Sequence, residues 1–152
     1  MGKFREVKAD LWSFHDKPET VVFITTNGTL KQSNDLVMGR GCAKEAYDKF
    51  PGISAVLGQA IKQYGNQVMY FEEFKLGILP VKTQWYLKAD IKLIENSLGQ
   101  LLCLANVDIN KGTWKNIVIP RPGCGNGGLT WEHEVKPLLE KLLDERFIIV
   151  TK

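Results

Sequence analysis

Twice along this chain a β-branched run ends at a glycine-rich loop and an amphipathic segment follows. In "ETVVFITTNG" the run from Val21 to Thr26 stops at Asn27-Gly28, and the chain passes through Met38-Gly39-Arg40-Gly41 into a helix closed by Pro51. In "WKNIVIPRPGCGNGG" the strand 115–119 stops before Gly123, Gly125, Gly127 and Gly128. The segment "TWEHEVKPLLEKLLDE" then reads as a helix with Thr130 as its N-cap. This order restricts the fold and suggests a ligand class. Glycine lets the main chain approach closely, free N–H groups at a helix start point outward, and the helix dipole adds partial positive charge, which together favour an anion. Ligands in open α/β sheets sit beyond the carboxyl ends of the strands, so the two helix N-termini are expected to face one anion from opposite sides.

The rest of the chain supplies the elements for such a sheet. "KFREVKADLW" alternates and is short, as an edge strand would be. "GISAVLGQAIKQYG" places Ile53, Val56, Leu57, Ala60, Ile61 and Tyr64 at spacings of three and four, a helix ending at Gly65. "QVMYFEEFKLGILPV" holds two short strands, roughly 68–74 and 76–81, as a hairpin about Lys75-Leu76. Ile91, Ile94, Leu98, Leu101, Leu102 and Ala105 repeat with a helical period, and "RFIIVTK" is a last strand. Strands alternating with helices predict a mainly parallel sheet with helices on both faces.

At 152 residues one domain is expected, and 44% hydrophobic with 24% charged residues argues against disorder. A net charge of +3 is too small to argue nucleic-acid binding and is compatible with a polyanionic small ligand. Cys42, Cys103 and Cys124 form no CxxC pair, so neither disulfides nor a zinc site is suggested and a reducing cytosol fits best. No apolar leader or membrane span is visible, and Glu6 breaks the acylation pattern that Met1-Gly2 would begin. Neither glycine loop fits GxxxxGK[ST], which disfavours a nucleotide triphosphatase, and a GxGxxG at the first βα turn is missing.

"FITTNGTLKQSNDLVMGRGCAKEA", "IPRPGCGNGGLTWEHEVKPLLEKL" and the early "ADLW" together closely resemble macro domains, the ADP-ribose-binding family, over nearly the whole chain and in the right order. The resemblance implies a three-layer α/β/α fold and a cleft for ADP-ribose. It implies that Asp10, with Leu11 beside it, accepts from the adenine amino group, as a carboxylate can. Asn27 would hydrogen-bond the distal ribose, although local sequence alone favours an Asn-Gly turn. Gly39, Gly41 and Cys42 would form the loop around the distal ribose and phosphate. Gly123, Cys124, Gly125, Asn126 and Gly127 would wrap the diphosphate. Both cysteines are expected to contribute backbone and packing rather than a nucleophile.

Within the family the chain is most similar to the branch that removes ADP-ribose from acidic side chains or DNA bases. "PVKTQW" resembles that branch's strand-end lysine, which implies a catalytic role for Lys82 at C1″ of the distal ribose. Gly127 stands where glutamate-directed members carry Asp, so "GCGNGG" sides with the DNA-directed members. "TTN" replaces the Asn-Ala-Ala-Asn with which other members position water. The implied activity is release of ADP-ribose from a modified nucleobase, carboxylate or nucleotide derivative, with no metal or cofactor required. ADP-ribose 1″-phosphate phosphatase (Appr-1-p processing) and non-catalytic reader activities are the alternatives. ADP-ribosylated DNA or protein would be the partner, with no membrane. Trp85 could shield the site or stack on a base. Arg40, Lys44 and Arg121 could meet phosphate. His15 and His133 have no partner suited to nucleophilic catalysis.

Overall fold

Six strands pair in the order β1-β6-β5-β2-β4-β3 in the computed structural model, which describes residues 3–108 and 114–152. Met1 and Gly2, where the acylation pattern would begin, lie outside the described residues. The strands are β1 (Arg5–Lys8), β2 (Thr20–Thr26), β3 (Met69–Phe71), β4 (Leu76–Pro80), β5 (Asn116–Pro120) and β6 (Phe147–Thr151). All pairings are parallel except the β3–β4 hairpin. The helices are α1 (Gly41–Lys49), α2 (Ile53–Tyr64), α3 (Ile91–Asp108) and α4 (Lys136–Leu142). No described helix is long and apolar enough to cross a membrane.

Strand period two divides the core. On β2, Val21 and Phe23 face the α3/α4 layer with Leu98, Leu101 and Leu139, while Val22 and Ile24 face the α1/α2 layer with Ala46, Ile53 and Leu57. The sheet is thus covered on both faces, which explains its continuous apolar runs. The result is the three-layer arrangement expected from the alternation of elements, with β2 in the middle.

Three local expectations need correction. The hairpin strand is Met69–Phe71 rather than 68–74, because the main chain turns through Glu72–Lys75, closed by Phe74 N–H and Lys75 N–H donating to Phe71 and Glu72 carbonyls. Thr130 does not cap a helix with its side chain; the Glu134 carboxylate instead accepts from both Thr130 N–H and its hydroxyl, at 2.8 and 3.0 Å. The first turn, Trp131–Val135, is a π-helix in which Val135 N–H reaches Thr130 O and Lys136 N–H reaches Trp131 O. Pro137 explains this widening, since it has no N–H to donate to His133 and regular winding starts around it.

The third correction concerns the ligand face. Within "GCGNGG" lies a single 3-10 turn, Gly125–Gly127, and α4 begins several residues later. Only the N-terminus of α1 therefore meets the other glycine loop; α4 does not face it.

Candidate functional site

Because β1, β2, β4, β5 and β6 all run the same way, their carboxyl ends gather on one edge of the sheet. A cavity of about 650 Å³ opens there, within the range of small-ligand sites. Ala9 and Leu11 follow β1, Thr26 and Asn27 close β2, Lys82 follows β4, and Pro120 closes β5. The two glycine loops form opposite walls: Gly39, Gly41 and Cys42 on one side, Gly123, Cys124, Gly125, Asn126 and Gly127 on the other. Every residue to which the resemblance assigns ligand contact or catalysis lines this cavity except Asp10. Asp10 borders an adjoining hollow with Trp12 and Lys49, which shares Ala9, Glu45 and Lys152 with the main cavity. Its carboxylate accepts from Trp12 N–H at 3.2 Å and caps the 3-10 turn Leu11–Phe14.

The glycines serve different purposes. Gly123 has φ +74°, and a Cβ there would come within 2.7 Å of Ile94 Cδ1 and 2.8 Å of Leu129 Cδ1, so the core beneath the loop requires it. At Gly127 a Cβ would press on Ala89 Cβ at 3.0 Å. Gly39, with nothing within 4 Å of such a Cβ, borders open space.

Lys82 ties the loop after β4 to the second glycine loop. Its ammonium donates to Trp85 O and Asn126 O, each at 3.3 Å, the second in the loop Gly123–Gly127. Partial burial, and then the positive charge of Arg40, push the Lys82 pKa below the ordinary lysine value. Its own carbonyl accepts from the Asn66 side-chain amide at 3.1 Å, and Asn66 also packs against Gly28, where a Cβ would lie 2.8 Å from Asn66 Nδ2. Thr29 braces the following loop: its hydroxyl donates to Gln84 Oε1 at 2.7 Å and accepts from Trp85 N–H at 2.9 Å. Neither Thr29 nor Asn66 stood out in the sequence. Both act through bonds to residues distant in the chain, and no local pattern marks that.

Asn27 fulfils the turn reading while also lining the cavity. Its Oδ1 accepts from Thr29 N–H at 2.9 Å, as in an Asx-turn, and its Nδ2 donates to Val37 O at 3.1 Å. The cysteines are held in packing: Cys42 Sγ lies 3.4 Å from Thr25 Oγ1, and burial pushes the thiols of Cys42 and Cys124 up. A thiolate is thereby disfavoured at both.

The basic residues near the loops separate by partner. Lys44 pairs with Asp48 at 2.6 Å, and Arg121 stacks over Trp131 while facing Glu6 at 3.6 Å. Arg40 is exposed and belongs to the cavity lining. His15 Nε2 is 2.9 Å from Phe74 O inside an aromatic cluster with Trp12 and Phe50, and His133 is exposed on the π turn.

No family model matches the sequence. Among curated proteins, the chain is 28% identical over 131 residues to a DNA ADP-ribosyl transferase-DNA ADP-ribosyl glycohydrolase fusion protein of Thermosipho africanus, aligning 70% of this chain with 32% of the relative. It thus spans about a third of that protein's length. The macrodomain of Thermus aquaticus DarG superposes with TM-score 0.73 at 23% identity, covering 100% of this chain and 99% of the other. Thermosipho africanus DarTG in complex with ADP-ribose gives 0.76 at 24%, covering 99% and 42%, and the Mycobacterium tuberculosis DarG macrodomain gives 0.72 at 21%, covering 100% and 99%. The chain has the macro domain fold, and the solved structures that it resembles include those of DarG and DarTG.

Proposed function

We propose that the cavity binds ADP-ribose and that the protein releases it hydrolytically from a modified nucleobase. One observation carries the reading: Lys82, its pKa lowered, stands at the mouth of the cavity and bridges from the β4 exit to the second glycine loop. The α1 N-terminus and main-chain N–H groups of the loop Gly123–Gly127 are suited to hold the diphosphate, the adjoining hollow at Asp10 the adenine, and the rim near Lys82 the distal ribose. As the bond from C1″ to the base breaks, Lys82 either adds to the opened sugar or offsets the developing charge. Water supplies the hydroxyl that remains on ADP-ribose, and the base leaves with the proton. The T. africanus relative, named as a DNA ADP-ribosyl glycohydrolase fusion, favours DNA over a carboxylate as the carrier.

The test combines calorimetry with ADP-ribose and turnover of an ADP-ribosylated DNA oligonucleotide. Wild type is expected to bind and to turn over. Gly39→Glu sets a carboxylate in the open space of the first loop without displacing protein atoms, and should weaken ADP-ribose binding about a hundredfold or more through like-charge repulsion. It is a cleaner probe than an acidic side chain at Gly127, which would first strike Ala89. Lys82→Ala should lower kcat by roughly 10²–10³-fold while sparing ADP-ribose affinity. Parallel loss of binding and turnover in Lys82→Ala would reduce the lysine to a ligand contact; a folded wild type that ignores ADP-ribose would overturn the whole reading.

A further inference from the structure

Directly after Lys82 the chain exposes three large apolar side chains in succession, Trp85 at 48%, Tyr86 at 66% and Leu87 at 43%. Other exposed aromatics, Tyr47 and Tyr64, stand singly on α1 and α2. A contiguous apolar strip on a surface marks contact with something. The main chain bearing this strip is anchored along its length. Trp85 N–H donates to Thr29 Oγ1, Leu87 N–H to Gln84 O at 3.1 Å, Ala89 N–H to Gly127 O at 2.8 Å and Asp90 N–H to Val81 O at 2.9 Å. Trp85 and Tyr86 stand edge to face with centroids 5.8 Å apart. These rings are held outward by a braced loop, so a flat partner can stack on them at small ordering cost.

Two further observations select the partner. Trp85 lines the cavity, so the strip continues outward from the place where Lys82 stands. From Lys82 to Lys92 three lysines, Lys82, Lys88 and Lys92, stand against one carboxylate. That carboxylate, Asp90, is turned into the start of α3, where it accepts from Lys92 N–H at 2.9 Å and Leu93 N–H at 3.4 Å. Among the described residues, none of Arg40, Lys82, Lys88 and Lys92 forms a salt bridge. Aromatic faces on a segment whose lysines form no salt bridge suit unpaired bases on a phosphate backbone; an acidic peptide would satisfy the cations and leave the rings unused.

We infer that Trp85, Tyr86 and Leu87 form a stacking platform at the cavity mouth for an unpaired base of single-stranded nucleic acid, next to the nucleotide that carries ADP-ribose. This inference rests on the proposed function and adds to it where the carrier strand lies. Because Tyr86 and Leu87 lie outside the cavity that Trp85 lines, their share of the platform contributes to binding of the carrier and not of ADP-ribose.

Equilibrium binding tests it in the Lys82→Ala background, which keeps the modified strand intact during titration. The probes are ADP-ribose, an ADP-ribosylated mononucleoside, a short single-stranded DNA carrying one ADP-ribosylated base, and an ADP-ribosylated glutamate peptide. Tyr86→Ala should weaken the modified single strand roughly tenfold, the scale of one lost base stack, and leave ADP-ribose and the mononucleoside unchanged. Trp85→Ala should weaken the strand similarly, and Trp85→Phe, which keeps a ring, should restore most of it. Unchanged strand affinity in both alanine variants would overturn the platform, as would equal weakening of the peptide. Strand effects aside, absence of ADP-ribose binding in the background protein and in wild type would overturn the underlying function instead, so the two failures are distinguishable.

Discussion

Lys82 donates to two main-chain carbonyls, while partial burial and Arg40 disfavour its charge. A neutral amine is the form that attacks a sugar carbon, so lowering the pKa enlarges the reactive fraction. The sign follows: kcat should rise with pH and level off at a pH below the ordinary lysine value. In Arg40→Ala the repelling charge is gone, the Lys82 pKa recovers upward, and the rising limb should move to higher pH. A pH–rate profile of both proteins checks this. A limb that falls with pH in wild type would mean instead that the ammonium acts, by electrostatic stabilisation of the transition state.

At the scale of elements, the loop after β4 is positioned by the ends of two others. The Asn66 amide, just past α2, holds the Lys82 carbonyl, and Thr29, just past β2, holds Trp85. The Asn66 Oδ1 is buried without a hydrogen-bond partner, so the side chain is retained at some energetic cost for its single amide bond and its packing on Gly28. Asn66→Ala removes a part-buried hydrogen bond and should lower stability by about 1 kcal/mol. The more informative outcome is kinetic. With Lys82 less firmly placed, kcat should fall while ADP-ribose affinity, which the proposed function assigns to the glycine loops, stays constant. Steady-state kinetics beside calorimetry would reveal it, and an unchanged kcat would show that the brace is purely structural.

Across the whole molecule, one ion pair ties β1 to α4 and another closes the turn before β6. Glu6 on β1 meets Lys136 at 2.9 Å and accepts from Trp131 Nε1 at 3.1 Å, and the Lys136 hydrogen bond chiefly holds its carboxyl below the ordinary glutamate range. Asp144, before β6, is lowered mainly by its hydrogen bonds from Arg146. For both, the folded pKa is depressed. Their contribution is therefore present above the unfolded-state carboxylate pKa and is lost as pH falls through the lowered folded value. Denaturant titrations should show stability declining through that acid window, with a smaller decline in the Glu6→Gln, Asp144→Asn double variant. Glu6 is a third exposed, so each contribution is modest, below about 1 kcal/mol. An identical acid slope in the variant would assign the decline to other carboxylates.

The sequence by itself determined which elements form, that the sheet is mainly parallel, and which loops gather at its carboxyl ends. Those properties follow from short-range rules: the dense β-branched run Val21–Thr26, the helical spacing of Ile91–Ala105, and glycines where L side chains are strained or obstructed. Its glycine-loop and lysine motifs also resembled the macro domains closely enough for cavity-lining residues to be named in advance. Tertiary structure decided what depends on partners distant in the chain. The bond from Lys82 to Asn126 spans 44 residues, that from Trp85 to Thr29 spans 56, and neither leaves a periodic trace. Even the start of α4 was set by Pro137 and the reach of Glu134, which turned the expected Thr130 cap into a π turn away from the cavity. Local patterning chooses elements because each residue's preference is felt within a turn or a strand. The site is decided later, because it exists only where those elements end together.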